Sequence, residues 1–204
     1  MKHAADGSIE KYKERFVARG FLQKEGIDYE ETFAPVAKYT SIRIVLALAA
    51  VMKWKIHQMD VKIAFLNGVV EEEVYVEKTL GFETHDRESH VCKLKKALNG
   101  LKQEPRTWYD RIGSFLTSLG FTKSKADSNL YYKVEEGNPV ILLLYVDYLF
   151  VIGEDGLIAD MKRNIASKFK MKYLGMMHYF LCMEVWQSAN KISLGQGKYA
   201  QYRS

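Results

Sequence analysis

The chain has little cysteine, no amino-terminal leader pattern and no apolar run long enough to span a bilayer. Its two cysteines, Cys92 and Cys182, are too few for a disulfide framework, which is typical of a reducing compartment. No basic, apolar and small-residue pattern opens the chain, so no secretory signal is predicted. The apolar run 140–152 is too short for a membrane helix and carries Asp147 in its middle. These absences predict a soluble intracellular protein with no membrane partner and no disulfide-linked partner.

The composition is that of an ordinary globular protein of one domain or two small ones, with 204 residues, of which 48% are hydrophobic and 27% charged. The net charge is +5, and it is unevenly distributed. Residues 93–125 contain eight Lys or Arg against two acids, and residues 156–204 contain the same numbers. Each cluster alone is adequately explained as a solvated helix face. Two basic segments on either side of Asp147 favour a nucleic-acid partner more than either does alone.

Hydrophobic spacing and turn residues predict alternating strands and helices. A strand over 54–61 would deliver Asp60 near its end, and apolar residues on both sides of Asp147 predict a buried hairpin. The predicted helices run from a cap at Ser41 through Val51, from Pro105 to Leu119, and from a cap at Asp155 through Phe169. A closing strand is predicted over 179–186. This order predicts an α+β fold, a ferredoxin-like split β-α-β arrangement whose antiparallel sheet has two helices on one face.

The predicted hairpin places a carboxylate where apolar residues surround it. An unpaired carboxylate is costly to desolvate, so Asp147 needs a partner or access to solvent. With Asp147 and Tyr148 as the tight connection between the two strands, the carboxylate would lie at the hairpin tip. The tip could present that carboxylate to a metal ion while the buried flanks hold it rigidly.

In a split β-α-β topology the end of the first strand and the hairpin tip can lie side by side. Asp60 and Asp147 would then converge, and two nearby carboxylates repel each other unless a hard divalent cation binds between them. A pair of Mg²⁺ ions at such a site can activate an attacking 3′-hydroxyl and stabilise a leaving pyrophosphate. Spacing alone leaves the alternative open that both acids are surface residues without a metal.

Several long blocks of sequence, in a fixed order, resemble one known family. The chain resembles the reverse transcriptase domain of copia-type LTR retrotransposons over nearly its whole length. The blocks that carry the resemblance are KYKERFVARGF at 11–21, EGIDYEETFAPVAK at 25–38, HQMDVKIAFLNG at 57–68, CKLKKALNGLKQEPRTWY at 92–109, YVDYLFVIG at 145–153 and FLCMEV at 180–185.

The resemblance implies a fold, a reaction and a set of site residues. It implies a polymerase palm at 54–204 with a fingers insertion near 68–100, a partial fingers segment at 1–53, and no thumb or ribonuclease H domain. It also implies catalysis with Mg²⁺ or Mn²⁺, deoxynucleoside triphosphates and an RNA or DNA template with its primer, in cytoplasmic virus-like particles or in the nucleus. The implied residues are the catalytic and metal-binding Asp60 and Asp147, the ribose-sensing Phe65, the pocket-lining Gln103, and the triphosphate-binding Lys13, Arg15 and Arg19.

The chain departs from the family pattern at the hairpin tip. Tyr148 stands where the family has a second aspartate, and a phenol with a pKa near 10 is a poor Mg²⁺ ligand at neutral pH. Glu104 stands where a small residue is usual, which would place a negative charge next to the template path. We therefore expect strongly impaired polymerase activity in a truncated, degenerate copy of the element. The alternatives are a catalytically dead nucleic-acid-binding remnant and a fragment with no function.

Overall fold

The computed structural model describes residues 2–3, 8–12, 16–32, 36, 38–70, 72–78, 90–181, 183–188 and 191–197. The described part contains three helices, α1 Tyr39–Met52, α2 Glu104–Ser118 and α3 Asp155–Lys168. Its strands are β1 Lys2–His3, β2 Ile9–Lys11, β3 His57–Val61, β4 Tyr75–Val76, β5 Cys92–Lys93, β6 Thr122–Lys123, β7 Leu130–Glu135, β8 Asn138–Tyr145, β9 Tyr148–Ile152, β10 Met171–Met176, β11 Tyr179–Phe180, β12 Met183–Ser188 and β13 Lys191–Gly195. Among these helices, none is long and apolar enough to cross a membrane.

The central element is a six-stranded antiparallel sheet in the order β10-β3-β9-β8-β7-β6. Its four strands β3, β8, β9 and β10 alternate along the chain with α2 and α3 in the predicted split β-α-β order. The prediction of a mixed fold built on an antiparallel sheet is confirmed. The last strand of this sheet, however, is β10 at Met171–Met176, whereas 179–186 was predicted. Residues 179–195 instead contain the three strands of a separate small sheet, β11-β12-β13.

Hydrophobic side chains cover both faces of the central sheet. On one face, α2 and α3 pack against alternating residues of the middle strands, including Met59, Leu144 and Leu149. On the other face, α1 and the small sheet enclose Leu143 and Phe150. The alternation explains the continuous apolar run of β8 and β9, because strands covered on both faces have no polar side. The hairpin is thereby fixed between two layers.

Two predicted helix caps are wrong, and each side chain has another partner. Helix α1 begins at Tyr39, and the Ser41 hydroxyl donates a hydrogen bond to the buried carboxylate of Asp127 instead of capping the helix. Helix α3 has Glu154 at its N-cap position, and Asp155 is its first residue. The Asp155 carboxylate lies 3.7 Å from Nε2 of His57. Both side chains thus lie near a residue that is distant in the sequence.

Helix α2 contacts β7 through a glycine. A Cβ atom at Gly113 would lie 2.8 Å from the hydroxyl oxygen of Tyr131, whose side chain is buried. The ring cannot move aside, because the core encloses it. Glycine at this position therefore serves close packing at the expense of helix propensity.

We predict that Gly113→Ala destabilises the fold, because overpacking costs about 1–3 kcal/mol and the gain in helix propensity is only about 1 kcal/mol. In a Tyr131→Phe background the clashing hydroxyl is absent, so the same alanine should stabilise the protein. Urea denaturation of the four proteins in this cycle measures both effects. An equal loss of stability in the two backgrounds would show that the hydroxyl does not cause the conflict.

His57, the first residue of β3, contacts one side chain of α3 and one of β10. The Tyr173 hydroxyl donates to Nδ1 of His57 at 2.6 Å, and Nζ of Lys162 lies 3.4 Å from the same nitrogen. Burial, followed by the positive charge of Lys162, lowers the pKa of His57 below its ordinary value of 6.5, although Asp155 opposes this shift. The folded protein therefore favours the neutral imidazole.

Because the pKa of His57 is lower in the folded than in the unfolded chain, this group stabilises the fold fully above its unfolded pKa of about 6.5. The stabilisation should be lost progressively as the pH falls from about 6.5 through the folded pKa. Urea unfolding at a series of pH values should show a smaller loss on acidification in His57→Gln than in the unmodified chain. Identical pH profiles would contradict this assignment.

Candidate active site

The turn between β8 and β9 is held by two hydrogen bonds from other elements. The connection consists of Val146 and Asp147, and Tyr145 pairs with Tyr148 across it. The indole N–H of Trp108, in α2, donates to the carbonyl oxygen of Val146 at 2.8 Å. The backbone N–H of Val61 donates to the carbonyl oxygen of Asp147 at 2.8 Å. Helix α2 and strand β3 therefore both fix the hairpin tip.

Tyr148 is the first residue of β9 and not part of the turn, so the predicted Asp147-Tyr148 connection is wrong by one residue. Tyrosine favours extended backbone, and Tyr148 forms a regular cross-strand pair. Within the turn, Val146 adopts an unfavourable backbone conformation, with a φ of 54°. A β-branched residue rarely adopts this left-handed region.

Asp60 lies beside the hairpin tip. It pairs in register with Tyr148 on β9, and its other neighbour is Lys172 on β10. Paired residues in an antiparallel ladder project from the same face, with Cβ atoms about 4.5–5.5 Å apart. Because the next residue, Val61, bonds to the backbone of Asp147, both aspartates lie at the same edge of the sheet. The structure thus places the backbone of Asp60 next to the hairpin tip that carries Asp147, and a shared site of the two acids stays a prediction.

The phenol of Tyr148 is electrostatically coupled to both carboxylates. Burial, then the charge of Asp147 and then that of Asp60, raises its pKa above the ordinary value of 10. The shift means that ionising the phenol would put a third negative charge beside two others. Tyr148 is therefore a neutral group at physiological pH. Within the described ranges, no three His, Cys, Asp or Glu side chains form a group that could hold a metal ion.

Tyr148 belongs to an aromatic cluster on the face that carries Asp60. Its ring stacks on Phe150, with the centroids 6.4 Å apart and the planes at 27°. Phe150 in turn meets Phe180 of the small sheet edge-on at 4.3 Å, and Phe180 meets Tyr145 at 5.4 Å. The ring at position 148 thus extends the apolar core to the rim of the site, where a carboxylate would need solvent or a cation.

Phe65 and Gln103 are placed differently from each other. Phe65 lies in a short 3-10 helix, Ala64–Asn67, directly after β3, and is half-buried against the core. The side chain of Gln103 is 1% exposed at the start of α2, and both ends of its amide are bonded within the protein. Phe65 is thus on an element that follows Asp60, whereas Gln103 does not offer its amide to a ligand. Their implied roles stay predictions.

Of the three residues predicted to bind the triphosphate, the structure describes one. Arg19 is exposed and precedes the 3-10 helix Gly20–Leu22. Lys13 and Arg15 lie outside the described residues.

The side chain of Glu104 is buried, and its carboxylate accepts a hydrogen bond from the N–H of Gly100 at 2.8 Å. The expectation that Glu104 charges the surface along a template is therefore wrong, because this acid stabilises the loop before α2.

Sequence reasoning missed two residues that hold the site. Trp108 showed only helical spacing, which predicts a core residue and gives no sign that its indole N–H reaches the hairpin turn. Gln23 lies in a polar stretch without a motif, yet its amide contacts Gln103 across eighty positions of sequence. Neither contact has a local pattern that could have revealed it.

Comparison with known proteins gives one consistent result. The family model described as reverse transcriptase (RNA-dependent DNA polymerase) matches residues 1–202. The chain is 44% identical, over 98% of its length, to the retrovirus-related Pol polyprotein from transposon TNT 1-94 of Nicotiana tabacum. It is 42% and 40% identical, over 97% of its length, to the Pol polyproteins from transposons RE1 and RE2 of Arabidopsis thaliana. It spans only 15%, 14% and 14% of these relatives, and no solved structure matches it.

The left-handed backbone at Val146 leads to a prediction about the hairpin. Asparagine adopts this conformation more readily than a β-branched residue, so Val146→Asn should stabilise the fold by about 1 kcal/mol. The carbonyl that accepts the Trp108 hydrogen bond is unchanged by the substitution. The midpoint of urea unfolding measures the gain, with Val140→Asn in the buried part of β8 as a destabilising control. A Val146→Asn variant less stable than the unmodified chain would contradict the interpretation.

Proposed function

Because the chain belongs to the reverse transcriptase family of copia-type transposon Pol polyproteins, we propose that it carries the palm and part of the fingers of such a polymerase. The palm would comprise residues 54–204, with the fingers at 1–53 and near 68–100. The reaction is the addition of a deoxynucleotide to a primer 3′-hydroxyl that is paired with an RNA or DNA template. The observation that carries the proposal is the position of Asp60 beside the tip that bears Asp147.

The donor set at this edge fits one divalent cation. Magnesium is commonly bound by one or two carboxylates together with substrate phosphates, which are the groups that Asp60, Asp147 and a nucleotide would supply. Manganese accepts the same oxygen ligands. When bound, the cation would activate the primer hydroxyl and offset the charge of the triphosphate. The neutral phenol of Tyr148 adds no anion, so a second cation would have little to hold it.

The other residues of the site have binding roles in this proposal. Phe65, next to the strand that ends with Asp60 and Val61, would limit the space at the ribose and exclude a 2′-hydroxyl. Arg19 would bind the triphosphate, with Lys13 and Arg15 as further cations from the same region. Gln103 would support the pocket wall from inside, since its amide is already engaged.

Tyr148 limits the reaction in two ways. Its phenol replaces a carboxylate and stays protonated, so the negative charge that binds cations is reduced. Its ring also occupies space at the rim, stacked on Phe150. We infer that the chain is a reverse transcriptase domain whose chemical step is strongly slowed by this residue.

We predict that Tyr148→Asp raises the rate of metal-dependent primer extension by at least about a hundredfold, the scale expected when one charge-stabilising group of an active site is restored. Single-nucleotide extension of a labelled primer on a matched template, with Mg²⁺ and with Mn²⁺, measures the rate. Adding Asp60→Asn to the Tyr148→Asp chain should abolish the gain, because the cation then loses a carboxylate.

Tyr148→Asn is the matched control, because it removes the ring without restoring a charge. An asparagine variant as fast as the aspartate variant would assign the impairment to bulk alone. An unmodified chain as fast as Tyr148→Asp would refute the inferred impairment. If all variants shift a primer–template in gels but none incorporates a nucleotide, the chain is a binding remnant and not a polymerase.

A further inference from the structure

The segment that carries Arg19, residues 16–29, packs backbone to backbone on the loop before α2. The N–H of Ala18 donates to the carbonyl oxygen of Asn99 at 2.7 Å. A Cβ atom at Gly20 would clash with the carbonyl oxygen of Gly100, so no other residue fits there without a shift of the chain. This Arg19 segment is therefore seated on the same part of the chain that leads into Gln103.

Gln23 ties the Arg19 segment to the start of α2 through a chain of hydrogen bonds. Its Oε1 accepts from the N–H of Lys102 at 2.8 Å, and its Nε2 donates to Oε1 of Gln103 at 3.1 Å. Gln103 completes the chain by donating from Nε2 to the carbonyl oxygen of Asp28 at 3.2 Å. The two amides thus connect the middle of the Arg19 segment and a position near its carboxyl end to the residues directly before α2.

The direction of these bonds leaves each amide only one orientation. The oxygen of Gln23 is fixed by the Lys102 N–H, so its nitrogen faces Gln103. A reversed Gln103 would place its nitrogen against the nitrogen of Gln23 and its oxygen against the oxygen of Asp28. Because Gln103 is 1% exposed, water cannot replace a lost partner, and an unsatisfied buried amide is costly.

Resting on the proposed function, we propose that Gln23 is a positioning residue for nucleotide binding: it fixes the amide of Gln103 and thereby holds the Arg19 segment where Arg19 meets the triphosphate. Gln23 itself touches no substrate in this assignment. The exposed guanidinium of Arg19 lies only four positions before Gln23 in the sequence and on the same seated segment. A displacement of the segment would therefore displace the cation.

The test measures the affinity of the Mg²⁺ complex of the matched deoxynucleoside triphosphate for the chain bound to a primer–template. A dideoxy-terminated primer prevents incorporation, so the measurement reports binding alone, and Tyr148 is the same in every protein whose affinity is compared. Gln23→Met keeps the length of the side chain, removes its hydrogen bonds and adds no charge. We expect it to weaken nucleotide binding about tenfold, the effect of losing about 1.4 kcal/mol.

A double-mutant cycle with Arg19 separates positioning from general destabilisation. If Gln23 acts through Arg19, Gln23→Met together with Arg19→Met should bind nucleotide no more weakly than Arg19→Met alone. Leu22→Met, on an exposed side chain of the same segment, is the matched control and should leave affinity unchanged. In the Tyr148→Asp background, Gln23→Met should raise KM for the nucleotide and leave kcat unchanged.

The proposal is overturned if Gln23→Met binds nucleotide as tightly as the unmodified chain, or if its effect multiplies with that of Arg19→Met. It is also overturned if the unmodified chain on primer–template binds no nucleotide. Extension by the Tyr148→Asp variant, which keeps Gln23, then shows whether the proposed function still holds, because that assay measures incorporation and not the role of Gln23.

Discussion

The antiparallel pairing of β3 with β9 is the interaction on which the site depends. It sets Asp60 opposite Tyr148 and lets the Val61 N–H bind the carbonyl of Asp147. A shift of one residue would turn Asp60 to the opposite face, because side chains alternate along a strand. The alternation of β3 opposes that shift, because buried Met59 and Val61 would leave the core and Asp60 would enter it. The register of the core thus determines the geometry of the acids.

The same core explains how the chain tolerates tyrosine at position 148. A carboxylate there would lie beside two others and would need a cation or solvent to offset the repulsion. The phenol avoids this cost, and its ring stacks on Phe150 within the aromatic cluster. Packing therefore favours a neutral ring at position 148, whereas cation binding would favour a carboxylate. Tyrosine at this position favours packing, whereas the proposed reaction would gain from a charge there.

Local patterns predicted the hairpin, the helices and the position of Asp60 next to the hairpin tip, because each depends on hydrophobic periodicity or on the order of elements. Strand β10 was missed because half of its residues are exposed and none is buried, so it lacks an alternating pattern. Only its pairing with β3 defines it. The cap at Ser41 was wrong because Asp127, distant in the sequence, accepts a hydrogen bond from its hydroxyl. The cap at Asp155 was wrong by one residue, since Glu154 holds the N-cap position of α3. The hydrogen bond between Gln23 and Gln103 joins distant parts of the chain and has no local signal.

The central claim is that Asp60 and Asp147 share one cation at the edge of the sheet. Line broadening by Mn²⁺ in the amide NMR spectrum tests it directly, because a paramagnetic ion broadens only nearby signals. The account predicts that substoichiometric Mn²⁺ broadens the amides of Val61, Asp147 and Tyr148 first, and that Asp60→Asn and Asp147→Asn each abolish this pattern. Broadening centred elsewhere, or unchanged by either substitution, would contradict it.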